Sequence, residues 1–134
     1  MPRVEFEVPF VAGKQRPMWS NKIHRMYTPK ETVAAERAIG YAYRARAKGQ
    51  RARMGTEVTV QIRAHKRLPK SARHRPMPFF VKPDADNIAK LVCDALNGVA
   101  YKDDNQVTRI VVEKVERTDA DDRTEVTVEW DEAL

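Results

Sequence analysis

The chain has 134 residues, a net charge of +6, 42% hydrophobic residues and one cysteine. This length fits a single domain spanning residues 1–134. No apolar run approaches the roughly 18 residues that a membrane span needs, and one cysteine excludes an intramolecular disulfide. The first residues lack the pattern of a signal peptide, so we expect a cytoplasmic protein with no membrane partner.

The first half of the chain predicts a strand, a loop and a helix. Residues 3–10 alternate apolar and polar side chains, which is typical of a half-buried strand. Residues 11–27 have no clear period and carry several cations, which favours an ordered loop. The helix should begin at the sequence TPKE, with Thr28 as the cap and Glu31 completing a capping box, and end at Gly49.

The second half predicts a strand, a basic loop, a helix and two more strands. A strand is expected at 57–65, followed by a proline-containing basic loop at 66–78. The second helix should open at Asp86 or Asn87 and end at Asn97 and Gly98. Strands at 107–115 and 124–130 should form a hairpin. The order β-α-β-α-β-β indicates an α/β protein of the α+β kind, with two main helices on a small mixed sheet.

Charge is unevenly distributed along the chain. Residues 58–83 contain no Asp or Glu but seven Lys or Arg residues. Such a block suits a polyanion, because cations that contact phosphates supply most of the sequence-independent affinity for DNA. Taken alone, this block would predict a non-catalytic DNA-binding module.

The segment that follows gathers five aspartates within KPDADNIAKLVCDALNGVAYKDDNQV, residues 82–107. Helical spacing places Ile88 and Leu91 on a buried face. Asp86, Lys90 and Asp94 then share the opposite face, where solvation and ion pairs between neighbouring turns would explain them.

Two further observations favour a metal site. Asp84 and Asp86 are two residues apart, so in extended backbone both carboxylates would point the same way. If the next strand pairs near the segment leading into Asp84, one acid of the Asp103–Asp104 pair can join them. Three carboxylates in one cleft require a divalent cation, and oxygen ligands suit Mg²⁺ or Mn²⁺. Such a metal supports phosphodiester hydrolysis, in which Lys90 would neutralise charge on the phosphate or position the water.

These residues resemble the signature of the RusA family of Holliday-junction resolvases, which occur in bacteria and their phages. The shared pattern is D-x-D-N-x-x-K, then D-A-L, then D-D-x-Q, and GKQRP and YTPKET in the first 32 residues are similar to phage-type members. The resemblance implies a homodimer that cuts four-way DNA symmetrically with Mg²⁺. It assigns catalysis to Asp84, Asp86, Lys90 and Asp104, with Asp103 as a supporting or alternative metal ligand.

Other residues receive weaker assignments. Asp94 would support the helix face and Asn87 would cap the helix. Cys93, Phe79, Phe80 and Trp19 are assigned to packing by default, although Trp19 could stack on a base, and TDADDR at 118–123 is interpreted as a solvated turn. The candidate DNA contacts are Lys14, Arg16, Lys66, Arg67, Lys70, Arg73 and Arg75. A nuclease of broader range, which cuts branched DNA such as flaps or replication forks, is an alternative to a four-way junction resolvase.

Overall fold

The computed structural model describes residues 2–72 and 74–132. It contains six strands and two α-helices within those residues, joined by two short 3-10 turns. Their bounds are β1 Arg3–Val8, β2 Met18–Ser20, β3 Arg25–Tyr27, α1 Lys30–Ala47, β4 Val58–Arg67, α2 Ala85–Leu96, β5 Val107–Thr118 and β6 Arg123–Trp130. The mixed sheet and two helices confirm the predicted fold class. No helix in the described part of the chain is long and apolar enough to cross a membrane.

The main sheet has the strand order β1-β6-β4-β5. Strand β4 pairs parallel with β5 on one side and antiparallel with β6 on the other. The predicted hairpin of β5 with β6 is therefore wrong, because β4 lies between them. The sheet is mixed because one parallel pair adjoins two antiparallel pairs.

The connection from β5 to β6 crosses the end of β4 and is fixed there by ion pairs. Lys66 Nζ lies 3.0 Å from Asp122 Oδ2, and Arg67 Nη1 lies 2.5 Å from Asp121 Oδ1. The backbone N–H of Arg67 also donates to Asp122 Oδ1 at 2.8 Å. The composition of residues 118–123 therefore predicted a turn correctly. The path of this turn across the end of β4 depends on Lys66 and Arg67, which lie more than 50 residues earlier in the chain.

Both helices pack side by side on one face of the sheet, α1 against β1 and α2 against β5. Trp130, Tyr43, Tyr101 and Ile39 are among the largest side chains buried between these layers. Their removal from water supplies the main driving force for folding. The outward-facing residues of β6 alternate with buried ones, which is typical of a sheet covered on one face.

Helix α1 begins differently from the prediction. Its N-cap is Pro29, and no side chain caps it. The backbone N–H groups of Thr32 and Val33 both donate to the Pro29 carbonyl. Thr28 therefore precedes the cap by one residue, and the capping box is absent. The other end agrees with expectation, since Lys48 is the C-cap and Gly49 has a φ of 85°.

The segment expected to be a loop at 11–27 contains a small separate hairpin. Strands β2 and β3 pair antiparallel, with Met18 opposite Tyr27 and Trp19 opposite Met26. Three-residue strands are too short to give a clear period, which is why the sequence did not predict them. In chain order, the hairpin lies between β1 and α1.

Candidate active site

Asp84 and Asp86 lie at the N-terminal end of α2, and both are exposed. Asp84 is the N-cap with extended backbone, and Asp86 belongs to the first helical turn. The expected caps, Asp86 and Asn87, are therefore inside the helix. The prediction that two extended residues align their carboxylates is also wrong, since the helix begins at Ala85. The partial positive charge of the helix N-terminus favours both carboxylates.

A cleft of about 530 Å³ adjoins Asp84. The loop at 11–15 forms one wall, and its backbone docks directly on α2, because Lys14 N donates to Asn87 O at 2.8 Å. Gly13 permits this approach, since a Cβ there would lie 2.8 Å from the Pro83 Cβ. Three lysines line the cleft, namely Lys14, Lys66 and Lys82, together with the two acids Asp84 and Glu31. An acid at the mouth of a cationic cleft is an arrangement that can hold a phosphate next to a bound cation.

Lys14 is held by two carboxylates rather than free in solvent. Its ammonium donates to Glu36 Oε1 at 2.8 Å and lies 3.2 Å from Asp94 Oδ2. Partial burial lowers the pKa of Lys14, but these two carboxylates outweigh burial and leave the pKa above its ordinary value. Asp94 thereby joins α2 to the loop at 11–15. This contact agrees with the predicted role of Asp94 in supporting the helix.

Asp104 begins a 3-10 turn that leads into β5, and Asp103 is the N-cap of that turn. The Asp103 side chain accepts a hydrogen bond from Asn105 N at 3.0 Å. A hydrogen bond with Asp103 raises the pKa of Asp104, and desolvation and charge repulsion from Asp103 and Asp94 raise it further. The pair is thus a concentrated, solvent-facing patch of negative charge.

Gln106 anchors this acidic turn from below and is itself buried. Its amide oxygen accepts from Lys102 N at 2.9 Å and Asp103 N at 3.1 Å. Its amide nitrogen donates to Arg53 O at 2.7 Å and Thr56 O at 3.0 Å. The first two bonds close the acidic turn on itself, and the last two join it to the loop that precedes β4. The sequence signalled this residue only as part of D-D-x-Q.

The two acid pairs lie at opposite ends of α2. A helix of 12 residues is about 18 Å long, and Asp84 precedes it whereas Asp104 follows its C-terminal end. Within residues 2–72 and 74–132, no group of three or more His, Cys, Asp or Glu side chains could hold a metal ion. The structure therefore does not bring Asp84, Asp86 and Asp104 together within the described chain, and their assignment to a shared metal site stays a prediction.

Lys90 lies one turn beyond Asp86 on the exposed face of α2. No carboxylate of the described residues pairs with it within 4 Å. The predicted order of polar side chains on this face is confirmed. An exposed ammonium next to Asp86 can contact a phosphate without first breaking an ion pair.

The candidate DNA contacts divide into two groups. Lys14, Lys66 and Arg67 each pair with a carboxylate. Arg16, Lys70 and Arg75 are exposed, and no acid among the described residues lies within 4 Å of their charges. Arg73 lies outside the described residues. The acid-free block is therefore partly neutralised by Asp121 and Asp122, so TDADDR is more than the solvated turn expected from its composition.

A second cavity, of about 830 Å³, is also lined by Asp84. Lys114 and Glu116 line it from β5, together with Phe79 and Phe80. Phe79 is buried beneath Lys114, whose ammonium lies 4.4 Å from the ring centroid. Phe80, by contrast, is 88% exposed, so its default assignment to the core is wrong.

Two residues missed by sequence reasoning help to define the site. Lys82 lines the cleft next to Asp84, and Glu36 holds Lys14. Lys82 could have been noticed from its position two residues before Asp84. Glu36 offered no signal, since its contact with Lys14 depends on how α1 packs against the loop at 11–15. Cys93 is buried as predicted.

Exposed carboxylates beside a lysine-lined cleft, on a mixed α/β sheet with a basic surface, are typical of enzymes that act on phosphodiesters. The family model for endodeoxyribonuclease RusA matches residues 9–129. The chain therefore belongs to the RusA family, as its motifs predicted, and is an endodeoxyribonuclease of the Holliday-junction resolvase type that acts on branched DNA. Nucleases of this family generally depend on a divalent metal. No curated protein matches the chain.

Proposed function

We propose that the protein is a homodimeric, Mg²⁺-dependent endonuclease that resolves four-way DNA junctions by symmetric cuts in the cytoplasm of a bacterial or phage-infected cell. The observation that carries this proposal is the cleft that Asp84 lines together with Lys66 and Lys82, with exposed Asp86 two residues beyond Asp84. The whole activity is assigned to one domain spanning residues 1–134.

The candidate metal ligands are all exposed carboxylates, and carboxylate oxygens are the ligands that a hard divalent cation such as Mg²⁺ prefers. One chain supplies them as two separate pairs, Asp84 with Asp86 and Asp104 with Asp103. When bound, Mg²⁺ would polarise the phosphodiester and activate water, and Mn²⁺ could replace it.

The chain's own residues would prepare the phosphodiester for this chemistry. Lys66 and Lys82 hold the phosphate in the cleft through charge, while the helix N-terminus at Ala85 favours the anion. Lys90, free of any ion pair with a described carboxylate, is available to neutralise charge that develops on the phosphate. The exposed cations Arg16, Lys70 and Arg75, with Arg73, would hold the flanking backbone.

The position of β5 explains how a dimer would join the two acid pairs. Strand β5 is at the edge of the sheet, and Ile110 and Val111 on it are exposed. Among the described residues, the outer edge of β5 pairs with another backbone segment only at Arg117, which forms a bridge with Met77. An exposed apolar edge of this kind favours pairing with another strand.

Antiparallel pairing of β5 with its copy would reverse the relative direction of the two strands. The acidic turn before β5 would then approach the far end of the partner's β5, where Glu116 and Asp84 line one cavity. Asp104 of the partner subunit would complete a site with Asp84 and Asp86. Two equivalent sites related by a two-fold axis suit symmetric cutting of a four-way junction.

Mixed dimers test both the catalytic role of these aspartates and the proposal that each site combines residues of two subunits. Changes to groups that merely orient a metal ligand cost about 10–100-fold, so Asp86→Asn and Asp104→Asn should each lower junction nicking at least that much. In a mixed dimer of the two variants, one shared site carries both substitutions and the other carries neither. Nicking should therefore return when the variants are mixed and re-equilibrated.

The outcomes separate the alternatives. Undiminished cutting by Asp86→Asn would overturn the catalytic assignment, and no recovery in verified mixed dimers would overturn the shared site. Comparing initial rates on a four-way junction, a flap, a fork and a plain duplex distinguishes a resolvase from a nuclease of broader preference. Salt-dependent binding without cleavage in Mg²⁺ or Mn²⁺ would favour a non-catalytic DNA-binding module.

A further inference from the structure

The hairpin of β2 and β3 exposes an unusual amount of apolar surface. Five large side chains on it are each between 41% and 55% exposed, namely Met18, Trp19, Ile23, Met26 and Tyr27. Cross-strand pairing places Met18 with Tyr27 on one face and Trp19 with Met26 on the other. Both faces are therefore only about half covered by the remainder of the described chain. An isolated two-stranded hairpin is only marginally stable in water, and clustered exposed apolar groups mark an interaction surface.

The charge around the hairpin favours a polyanionic partner. Residues 8–30 contain no Asp or Glu. The same stretch carries Arg16, Lys22 and Arg25 on and around the hairpin, all exposed. No carboxylate of the described residues lies within 4 Å of these three cations. A protein partner with an apolar surface would not require this one-sided charge, whereas a nucleic acid supplies phosphates and flat apolar bases together.

The position of the hairpin ties it to the candidate active site. Its first strand starts three residues after Gln15, whose backbone N–H is 3.4 Å from Thr32 Oγ1. Gln15 and Lys14 both line the cleft beside Asp84. The other end of the hairpin leads directly into α1 at Lys30. The hairpin therefore projects from the rim of the cleft, within reach of DNA whose backbone is held there.

We propose that this hairpin is a stacking element that engages unpaired or unstacked bases next to the branch point, with Trp19 as its main contact. This proposal rests on the proposed function and adds the part of the substrate that distinguishes a junction from a duplex. Aromatic rings stack on any base without sequence preference. The Trp19 indole is positioned by its Nε1, which donates to Asn21 Oδ1 at 3.0 Å.

The test compares junction and duplex binding in the absence of divalent metal. Trp19→Ala should weaken binding to a four-way junction by roughly ten-fold, while binding to a duplex of the same sequence changes much less. Trp19→Phe should restore most of the junction affinity, because the phenyl ring still stacks. Tyr41→Ala is the matched control, since Tyr41 is an exposed aromatic on α1 outside this surface and should leave both affinities unchanged.

A spectroscopic measurement makes the outcome specific to stacking. A junction with 2-aminopurine at the branch point should change its fluorescence when the unmodified protein or Trp19→Phe binds, and not when Trp19→Ala binds at saturation. Equal junction and duplex losses, or an unchanged response with Trp19→Ala, would overturn the stacking role while leaving the proposed function intact. If the unmodified protein does not bind junctions at all, both proposals fail.

Discussion

Gln106 offers the sharpest test of how the fold positions the acidic turn. Its side chain makes four hydrogen bonds, to Lys102, Asp103, Arg53 and Thr56. Leucine has similar volume but no polar atoms, so Gln106→Leu keeps the packing and removes all four bonds. Two backbone N–H groups and two carbonyls then lose their partners in a partly buried position.

The size of the effect follows from these bonds. Each hydrogen bond contributes roughly 0.5–1.5 kcal/mol net, so four give about 2–6 kcal/mol. Water that reaches the exposed turn should replace some of them, which places the expected loss of unfolding free energy at about 2–4 kcal/mol. For a chain of this length, 1 kcal/mol shifts Tm by roughly 3–5 °C, so Tm should fall by about 10 °C.

Differential scanning calorimetry measures this shift, and Asn105→Ala is its control. Asn105 is exposed and neighbours Gln106, and the bond from Asn105 N to Asp103 Oδ1 is made by the backbone, which alanine keeps. Because Gln106 fixes the backbone of Asp103, Gln106→Leu should also lower the rate of junction nicking below the unfolding temperature. A Tm unchanged by Gln106→Leu, or lowered equally by Asn105→Ala, would refute the anchoring role.

Two further predictions concern titratable groups. Desolvation raises the pKa of Asp122, but the Arg67 backbone N–H and the Lys66 ammonium outweigh it and leave the pKa lowered. A lowered folded-state pKa adds stability that is present above the unfolded value, near 4, and is lost as pH falls through the folded value. In urea unfolding, Asp122→Asn should therefore lower the free energy of unfolding at pH 7, and should lower it progressively less below about pH 4. A loss of unfolding free energy at pH 3 equal to that at pH 7 would contradict this. Burial raises the pKa of Cys93 to about 11, so Ellman's reagent at pH 8 should leave the native thiol unmodified and react with it fully in guanidinium, whereas rapid native reaction would contradict its burial.

The helix α2 shows what the sequence can predict well. Its buried and exposed faces are fixed by a period of 3.6 residues, and Ile88, Leu91 and Val92 are buried as expected. Asp86, Lys90 and Asp94 share the exposed face because that relation depends only on local spacing. The catalytic roles of Asp84, Asp86, Lys90 and Asp104, by contrast, follow from the resemblance to the family motif and stay a prediction.

Predictions from the sequence were wrong where the structure depends on pairing between strands that are far apart in the chain. Nothing in residues 107–130 indicates that β4 will insert between β5 and β6, because that order is set by contacts with a strand more than 40 residues earlier. The same insertion carries Asp121 and Asp122 to the end of β4. It also orients β5 so that Asp104 lies far from Asp84, which local reasoning placed together.

The separation of the acids has a consequence for the proposed enzyme. In a single chain, α2 holds Asp84 and Asp86 at one end, and Asp103 and Asp104 follow its other end. Neither pair alone provides three carboxylates, so a monomer bound to duplex DNA would lack a complete site. In the proposed dimer, pairing through β5 would complete both sites in the same step. Hydrolysis would then be restricted to the two-fold assembly, which is the form that can cut two opposed strands of a junction.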